Sequence, residues 1–533
     1  MIHSNIAPLG MAVTPHHLAS ESALAILREG GNAIEAMVAA ASTIAVVYPH
    51  MNGLGGDGFW LILPLNGDPI AIDASGVAGS LASRDFYDTT VVNIPYRGPK
   101  AAITIAGTIS GWQEALKLSR EINITTIPFP LSRLLEDAIR YAAHGIPVSE
   151  SQNKATYSKQ HELKCQPGFS STFLPNDNVP EVGSRFMQPA LANIFSIMSQ
   201  YGLESFYRGE IACHIAHEMK VVGMPITLKD LQGYRAHRCH PLRLLHSQGN
   251  IWNIGAPTQG LIALIILGIT DRLNMIHSDE TQTIHRIIEA TKQAFMLRNK
   301  YITDPKDIKI NIQELLNADY LNFLASQISD DAISLYKDSN RYETGDTVWM
   351  GTIDKNGLAV SFIQSLYHEF GSGVVLNETG ITWQNRGATF NLQSGHLLEL
   401  QPGKKPFHTL NPAAARLKNG DVMIYGSMGG DGQPQTQAAI FTRHVLQGLP
   451  LQETISAPRW LLGRTWGELS DSIKLESRIS KKVVKKLKKL GHPIELISNF
   501  SEIVGHAGAI IRHKNGMLEG AFDPRSNGSA AGF

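Results

Sequence analysis

Two stretches of this chain carry residues that can do chemistry. GDTVWMGTIDKNGLAVSFIQS, 345–365, opens an apolar, β-rich run on Thr347, directly behind Asp346. VMIYGSMGGDG, 422–432, sets Gly429 and Gly430 straight after a second such run. A threonine hydroxyl is a weak nucleophile at neutral pH and attacks only with the help of a base. Backbone N–H groups at a glycine turn can bind the oxyanion such an attack generates. The first stretch reads as a hairpin, with TVWMGTI and LAVSFIQS as strands and DKNG as the turn. A turn centred near Lys355–Asn356–Gly357 sets Thr347 opposite one of residues 364–366, so Ser365 offers a second hydroxyl beside it. Threonine is also an ordinary strand residue, and the hairpin alone does not tell the two roles apart.

The elements that must position these residues form two halves. Residues 19–29 and 32–47 read as helices broken by Gly30-Gly31, and the second is apolar on nearly every side, so it belongs inside a large core. FWLILPL and PIAIDA around NGD read as a buried hairpin. Residues 108–300 are mostly helical in pattern. From 347 strands dominate, with further runs at 373–384, 422–426 and 507–512. FGSGV (370–374) and TGITWQNRG (379–387) read as strand, turn and strand, and the last helix spans 480–493. Helices with a few strands, then strands with a few helices, predict a layered α+β sandwich over a βαβ array.

Other motifs have plainer explanations. NGLGGDG (52–58) leads into a strand and lacks a following Lys-Ser/Thr, so it fails the phosphate-loop pattern and reads as close backbone packing. CHIAHE sets His214 and His217 three apart, not in the order of a zinc protease. His237, Cys239, His240 and His246 have no regular ligand spacing, and no metal or other cofactor is expected. KKVVKKLKK places Val483, Val484, Leu487 and Leu490 on one face ahead of Gly491, the pattern of a docked helix with solvated lysines. There is no G-x-S-x-G elbow. Forty-seven basic residues against 47 acidic ones give no pull towards nucleic acid or anionic membrane. Three scattered cysteines imply no disulfide framework. MIHSNIAPLG lacks the regions of a secretory signal, and LIALIILGI is too short to span a bilayer. The expectation is a soluble, cytoplasmic protein.

Several segments match one family in number, order and spacing. They are GMAVTPHHLASESALAILREGGNAIEAMVAAA, NGLGGDGFW, ESFYRGEIACHIA, TVWMGTIDKNGLAVSF, FGSGVVLNETGI, GSMGGDG and GAFDPRSNGSAAGF. Through them the chain resembles, over nearly its whole length, the γ-glutamyltransferase family of N-terminal-nucleophile hydrolases. The resemblance implies a four-layer αββα sandwich and a precursor that cuts itself between Asp346 and Thr347. The products would be a large chain, 1–346, and a small chain, 347–533, that stay together as one unit. Cleavage frees an α-amine whose reference pKa of about 7.7–8.0 suits it as base for its own hydroxyl. By family position Thr347 is the nucleophile, Gly429 and Gly430 stabilise the oxyanion, and Ser365 supports the nucleophile.

The resemblance weakens at the substrate positions. Ser75 stands where the transferases carry a carboxylate-binding arginine. Tyr367, Arg386 and Thr389 stand where they hold the α-amino group with asparagine, glutamate or glutamine, and aspartate. His408-Thr409 replaces a serine pair. A pocket for an ammonium group has lost its carboxylate and gained a guanidinium, whose planar fork suits a carboxylate. The QNRG stretch resembles the oxamate-hydrolysing branch of the family. That implies a small anionic amide, oxamate, converted to oxalate and ammonia in uric acid breakdown, with Arg386, His408, Thr409 and Tyr367 around it. The alternatives are a γ-glutamyl hydrolase or transferase acting on glutathione, an acylase on a bulkier amide, and an uncleaved scaffold. A homo-oligomer stays open.

Overall fold

The hairpin is where the sequence predicts it. In the computed structural model, which describes residues 3–122, 127–332, 346–463 and 472–533, strand Asp346–Ile353 pairs antiparallel with Ala359–Tyr367. Gly357 takes φ +79°, the left-handed turn position that glycine adopts without strain. The Asp354 side chain closes the turn, accepting from Asn356 N at 2.9 Å and Leu358 N at 3.1 Å. Its other oxygen accepts from Ala33 N at 3.0 Å, at the start of a helix more than three hundred residues away in sequence.

That hairpin lies in the middle of a seven-stranded antiparallel sheet, in the order Ser529–Gly532, Met11–Thr14, Asp346–Ile353, Ala359–Tyr367, Asp57–Leu63, Ile70–Ala74, His237–Cys239. A second seven-stranded sheet runs Asn5–Ala7, Leu518–Phe522, Ala507–Arg512, Val422–Ser427, Ala413–Leu417, Gly249–Asn253, Leu242–His246. The facing sides interdigitate through one core that includes Phe59, Trp349 and Ile363 from the first sheet and Trp252, Ile424 and Ile510 from the second. Strands buried on both faces lose polar alternation, and every residue of Asp57–Leu63 and Ala359–Tyr367 is buried.

Helices close both outer faces. Ala33–Val47 is buried along its whole length. It starts in a capping box: Asn32 Oδ1 accepts from Ile34 N and Glu35 N, and Glu35 answers to Asn32 N. Gly260–Thr270, Glu280–Tyr301 and Gly432–Phe441 cover the second sheet. The expected αββα sandwich is the observed fold.

The helical pattern expected across 108–300 is interrupted, among the described residues, by the short pair Ile146–Pro147 and Arg185–Phe186 and by three strands that join the main sheets, His237–Cys239, Leu242–His246 and Gly249–Asn253. Leu242–His246 alternates buried and exposed residues, a period-two signal set among helices. The expected strand-turn-strand at 370–387 shrinks to Val375–Leu376 paired with Ile381–Thr382, and Arg386–Thr389 is a 3-10 turn. The lysine-rich helix runs Lys481–Lys489, capped by Ser480, with Val483 and Leu487 buried and Gly491 at φ +97°. The DPRS segment is structural: Arg459 and Arg525 both pair with Asp523, and Arg525 also pairs with Glu476. Burial pushes the Asp523 carboxyl up, but the two guanidiniums outweigh it and hold the carboxyl down at about 2. His285, Glu289 and His492 converge in the core, where Glu289, both His285 nitrogens and His492 Nε2 are engaged. Lys292 Nζ takes Glu289 at 2.7 Å, and His285 Nδ1 meets His492 Nε2 at 2.8 Å.

Asp354 ties the hairpin to the helix layer, so its removal tests that tie. Asp354→Ala leaves three N–H groups without their acceptor and should lower stability by about 1–3 kcal/mol, read as a reduced urea midpoint. Asp354→Asn keeps one acceptor oxygen and should recover part of the loss.

Candidate active site

The register of the hairpin slips at its first residues. Val348 stands opposite Gln364 but Asp346 opposite Tyr367, so a bulge holds Thr347. Bulges re-aim a side chain next to active sites. Here the Thr347 hydroxyl donates to Ser365 Oγ at 3.1 Å, with both residues buried. Ser365 Oγ also accepts from Tyr367 N at 2.8 Å, a serine turn that bends the strand end and leaves Tyr367 at φ +83°. The hydroxyl neighbour expected from the turn geometry is therefore in place.

That bend presents Tyr367 as a platform. The Arg386 guanidinium lies 3.9 Å from the centroid of the Tyr367 ring, a close cation–π contact. Arg386 is 1% exposed, and its one hydrogen bond among the described residues runs from Nη1 to Thr409 Oγ1 at 3.3 Å. Its Nε and Nη2 are buried without a partner. Among the described residues no carboxylate lies within 4.0 Å of it, so it is not a structural ion-pair residue. Burial, opposed by Tyr367 and Asp57, lowers its pKa to about 10, which leaves it charged at neutral pH.

Thr409 leads on to the glycine turn. Gln259 Nε2 donates to Gly430 O at 2.7 Å and approaches Thr409 O at 3.4 Å. Gly429 and Gly430 take φ +109° and +51°, so the turn needs residues free to enter the left-handed region. Among the described residues their two N–H groups find no acceptor. Two adjacent, buried, unspent donors are what an oxyanion site requires. The helix Gly432–Phe441 starts immediately beyond.

Asp57 was missed by the sequence reading, which took NGLGGDG as backbone packing. That holds for Gly55 and Gly56, where a Cβ would lie 2.2 Å from a backbone oxygen. Asp57, however, pairs across the sheet with Ser365 and is fully buried. Its Oδ1 accepts from Gly76 N, Gly107 N and Gln384 Nε2 at 2.9, 3.0 and 3.0 Å. Its Oδ2 lies 2.9 Å from His408 Nε2. Burial pushes this carboxyl up to about 7 against those hydrogen bonds and Arg386. Burial, with Arg386 nearby, drives the His408 imidazole well below its ordinary range, and His408 Nδ1 is buried without a partner. The signal available in the sequence was a carboxylate inside an all-apolar strand, which burial tolerates only with partners.

Ser75 departs from the substrate set. Its hydroxyl donates to Asp73 and receives Lys405 Nζ at 3.2 Å, while Lys405 pairs with Asp73 at 2.6 Å. Thr389 is spent on the carbonyls of Arg386 and Phe407 and fixes the turn that carries Arg386. The histidines singled out from spacing do not converge: His214 pairs with Glu378, His237 lies on one sheet and His246 on the other.

Comparison with known proteins agrees with this geometry. A family profile described as gamma-glutamyltranspeptidase matches residues 19–533. The chain is 62% identical over its full length, and the full length of the relative, to the oxamate amidohydrolase proenzyme of Klebsiella pneumoniae. It is 36% identical, again over all of both chains, to the glutathione hydrolase-like YwrD proenzyme of Bacillus subtilis. The crystal structure of cephalosporin acylase from Bacillus halodurans superposes with a TM-score of 0.90 at 30% identity, covering 100% of this chain and 97% of that one. The chain thus belongs to the γ-glutamyltranspeptidase family and is an amide-hydrolysing enzyme with the N-terminal-nucleophile sandwich.

Proposed function

We propose that this chain is a proenzyme that cuts itself between Asp346 and Thr347 and then hydrolyses oxamate to oxalate and ammonia. The observation that carries the substrate is Arg386, a buried guanidinium with unspent donors and, among the described residues, no carboxylate partner. A γ-glutamyl substrate would bring an ammonium group towards it; oxamate brings a carboxylate joined directly to the scissile amide. The 62% identity to a named oxamate amidohydrolase supports the same choice. On this reading the reaction is a step downstream of oxalurate in uric acid breakdown, as the family resemblance implies, carried out in the cytoplasm.

The chemistry follows from the residues. After the cut, the Thr347 α-amine takes the proton of its own hydroxyl as Oγ1 attacks the amide carbon. Ser365 Oγ, fixed by Tyr367 N, positions that hydroxyl. The oxyanion is received by the N–H groups of Gly429 and Gly430. The ammonium formed at Thr347 passes its proton to the departing nitrogen, ammonia leaves, and an oxalyl ester remains on Thr347. Water, deprotonated by the same amine, attacks the ester and releases oxalate. Arg386 holds the substrate carboxylate throughout, backed by Tyr367 and Thr409.

Asp57 decides what His408 offers. When Asp57 holds its proton it donates to His408 Nε2, and Nδ1 carries the hydrogen, a further donor for an anion. When Asp57 is ionised it takes the Nε2–H, Nδ1 becomes a bare lone pair, and the carboxylate competes for Arg386.

Three outcomes are expected. Wild-type protein should run as two bands on a denaturing gel, whereas Thr347→Ala should stay a single 58.2 kDa band and release no ammonia. Oxamate should be turned over faster than glutathione, and Arg386→Gln should raise the KM for oxamate about 10–100-fold, the worth of a charge-assisted hydrogen bond of about 1.5–3 kcal/mol; faster turnover of glutathione would sink the substrate assignment. The KM for oxamate should climb as pH rises through about 7, where Asp57 ionises. Asp57→Asn, whose amide donates to His408 Nε2 at every pH, should keep KM low and flat across that range.

A further inference from the structure

A second buried guanidinium with no ion pair among the described residues lies outside the catalytic cluster, with Glu280 the strongest opposing charge that acts on it. Arg443 sits in the π-helical turn Thr442–Leu446, which continues the helix Gly432–Phe441. Such turns are frequent at functional sites. Arg443 is 6% exposed. Among the described residues its one side-chain hydrogen bond runs from Nη2 to Pro458 O at 2.9 Å, and its guanidinium lies 5.5 Å from the centroid of the Trp460 ring. Among the described residues no carboxylate lies within 4.0 Å of it. Its neighbours differ: Arg459, Arg478 and Arg525 each pair with a carboxylate. Burial lowers the Arg443 pKa to about 10, so the charge persists at neutral pH.

Arg443 lines a cavity of about 450 Å³ together with Thr283, Glu280, Glu453, Pro458 and Arg478. None of these belongs to the catalytic cluster. Arg478 is already committed to Glu476 and to Ser456 O. Arg443, by contrast, makes no ion pair among the described residues, and a guanidinium fork matches an oxyanion group. Glu280 and Glu453 line the same space and repel a second negative charge. A single carboxylate, above all one that carries its own ammonium group, meets less of this repulsion than a dianionic phosphate does.

We propose that this cavity is a second ligand site, which takes a small monocarboxylate with its carboxylate on Arg443 and any ammonium group towards Glu280 and Glu453.

The test uses processed enzyme carrying Arg386→Gln, so that carboxylate binding at the catalytic pocket does not contribute. Acetate, glycine and phosphate are titrated at constant ionic strength, and the thermal midpoint reports binding. Acetate and glycine should raise the midpoint saturably, and phosphate should require at least tenfold higher concentration. Arg443→Gln should weaken carboxylate binding at least tenfold; Arg443→Lys, which keeps the charge and the fold but loses the fork, at least threefold. Glu280→Gln, at an exposed position, should tighten phosphate. No saturable response to either carboxylate, a response unmoved by the Arg443 variants, phosphate binding as tightly as acetate, or phosphate unaffected by Glu280→Gln would each overturn the proposal.

Discussion

The structure depends on one constraint: Thr347 has to be held still at a position that, on the proposed cut, becomes a chain end. Strand ends normally fray, because a terminal residue has partners on one side only. Here the strand that starts at Asp346 pairs with Ala359–Tyr367 along its length and with residues 11–13 at its far end, residues 351–353, in a sheet buried on both faces. The bulge lifts Thr347 out of the pairing register, and Ser365 catches its hydroxyl. The hairpin turn is itself anchored through Asp354 to the start of a fully buried helix. Immobility of Thr347, the proposed nucleophile, is thus a property of the sandwich, and side-chain contacts only finish it.

The second theme is charge left deliberately unbalanced. A buried guanidinium without a partner is costly, and the sandwich shows how readily it supplies partners elsewhere: Asp523 answers two arginines and Asp73 answers Lys405. At Arg386 it supplies an aromatic face and a hydroxyl instead, both neutral. Asp57, the nearby carboxylate, is held by two backbone N–H groups and Gln384 and turned to His408. Keeping Asp57 engaged in this way leaves Arg386 free to meet an anion from solution.

Much of this was legible in the sequence, and the boundary is physical. The hairpin, its turn, the capping of the lysine-rich helix and the buried helix after Asn32 were readable because each is decided by residues close together in the chain. Thr347 and Arg386 acquired roles only from the whole-chain resemblance, since a threonine at a strand start and an arginine near a glycine look ordinary alone. Asp57 escaped because its meaning lies in His408, 351 positions away. The strands at 237–253 escaped for a similar reason: they complete sheets whose other members come from distant parts of the chain. Arg443 looks like any polar residue in a helical run, and only packing shows that it is enclosed.

The strand order carries one more consequence. On the proposed cut, each sheet would interleave strands from both products: Met11–Thr14 and Asp57–Leu63 from the large chain flank the central hairpin of the small one. The sheets must therefore assemble while the polypeptide is continuous, when both parts are tethered at high effective concentration. Once severed, the pieces would have to find this interdigitation as separate molecules. Maturation by that cut would be one-way in this sense, and the working lifetime of the mature protein would become a matter of unfolding rate.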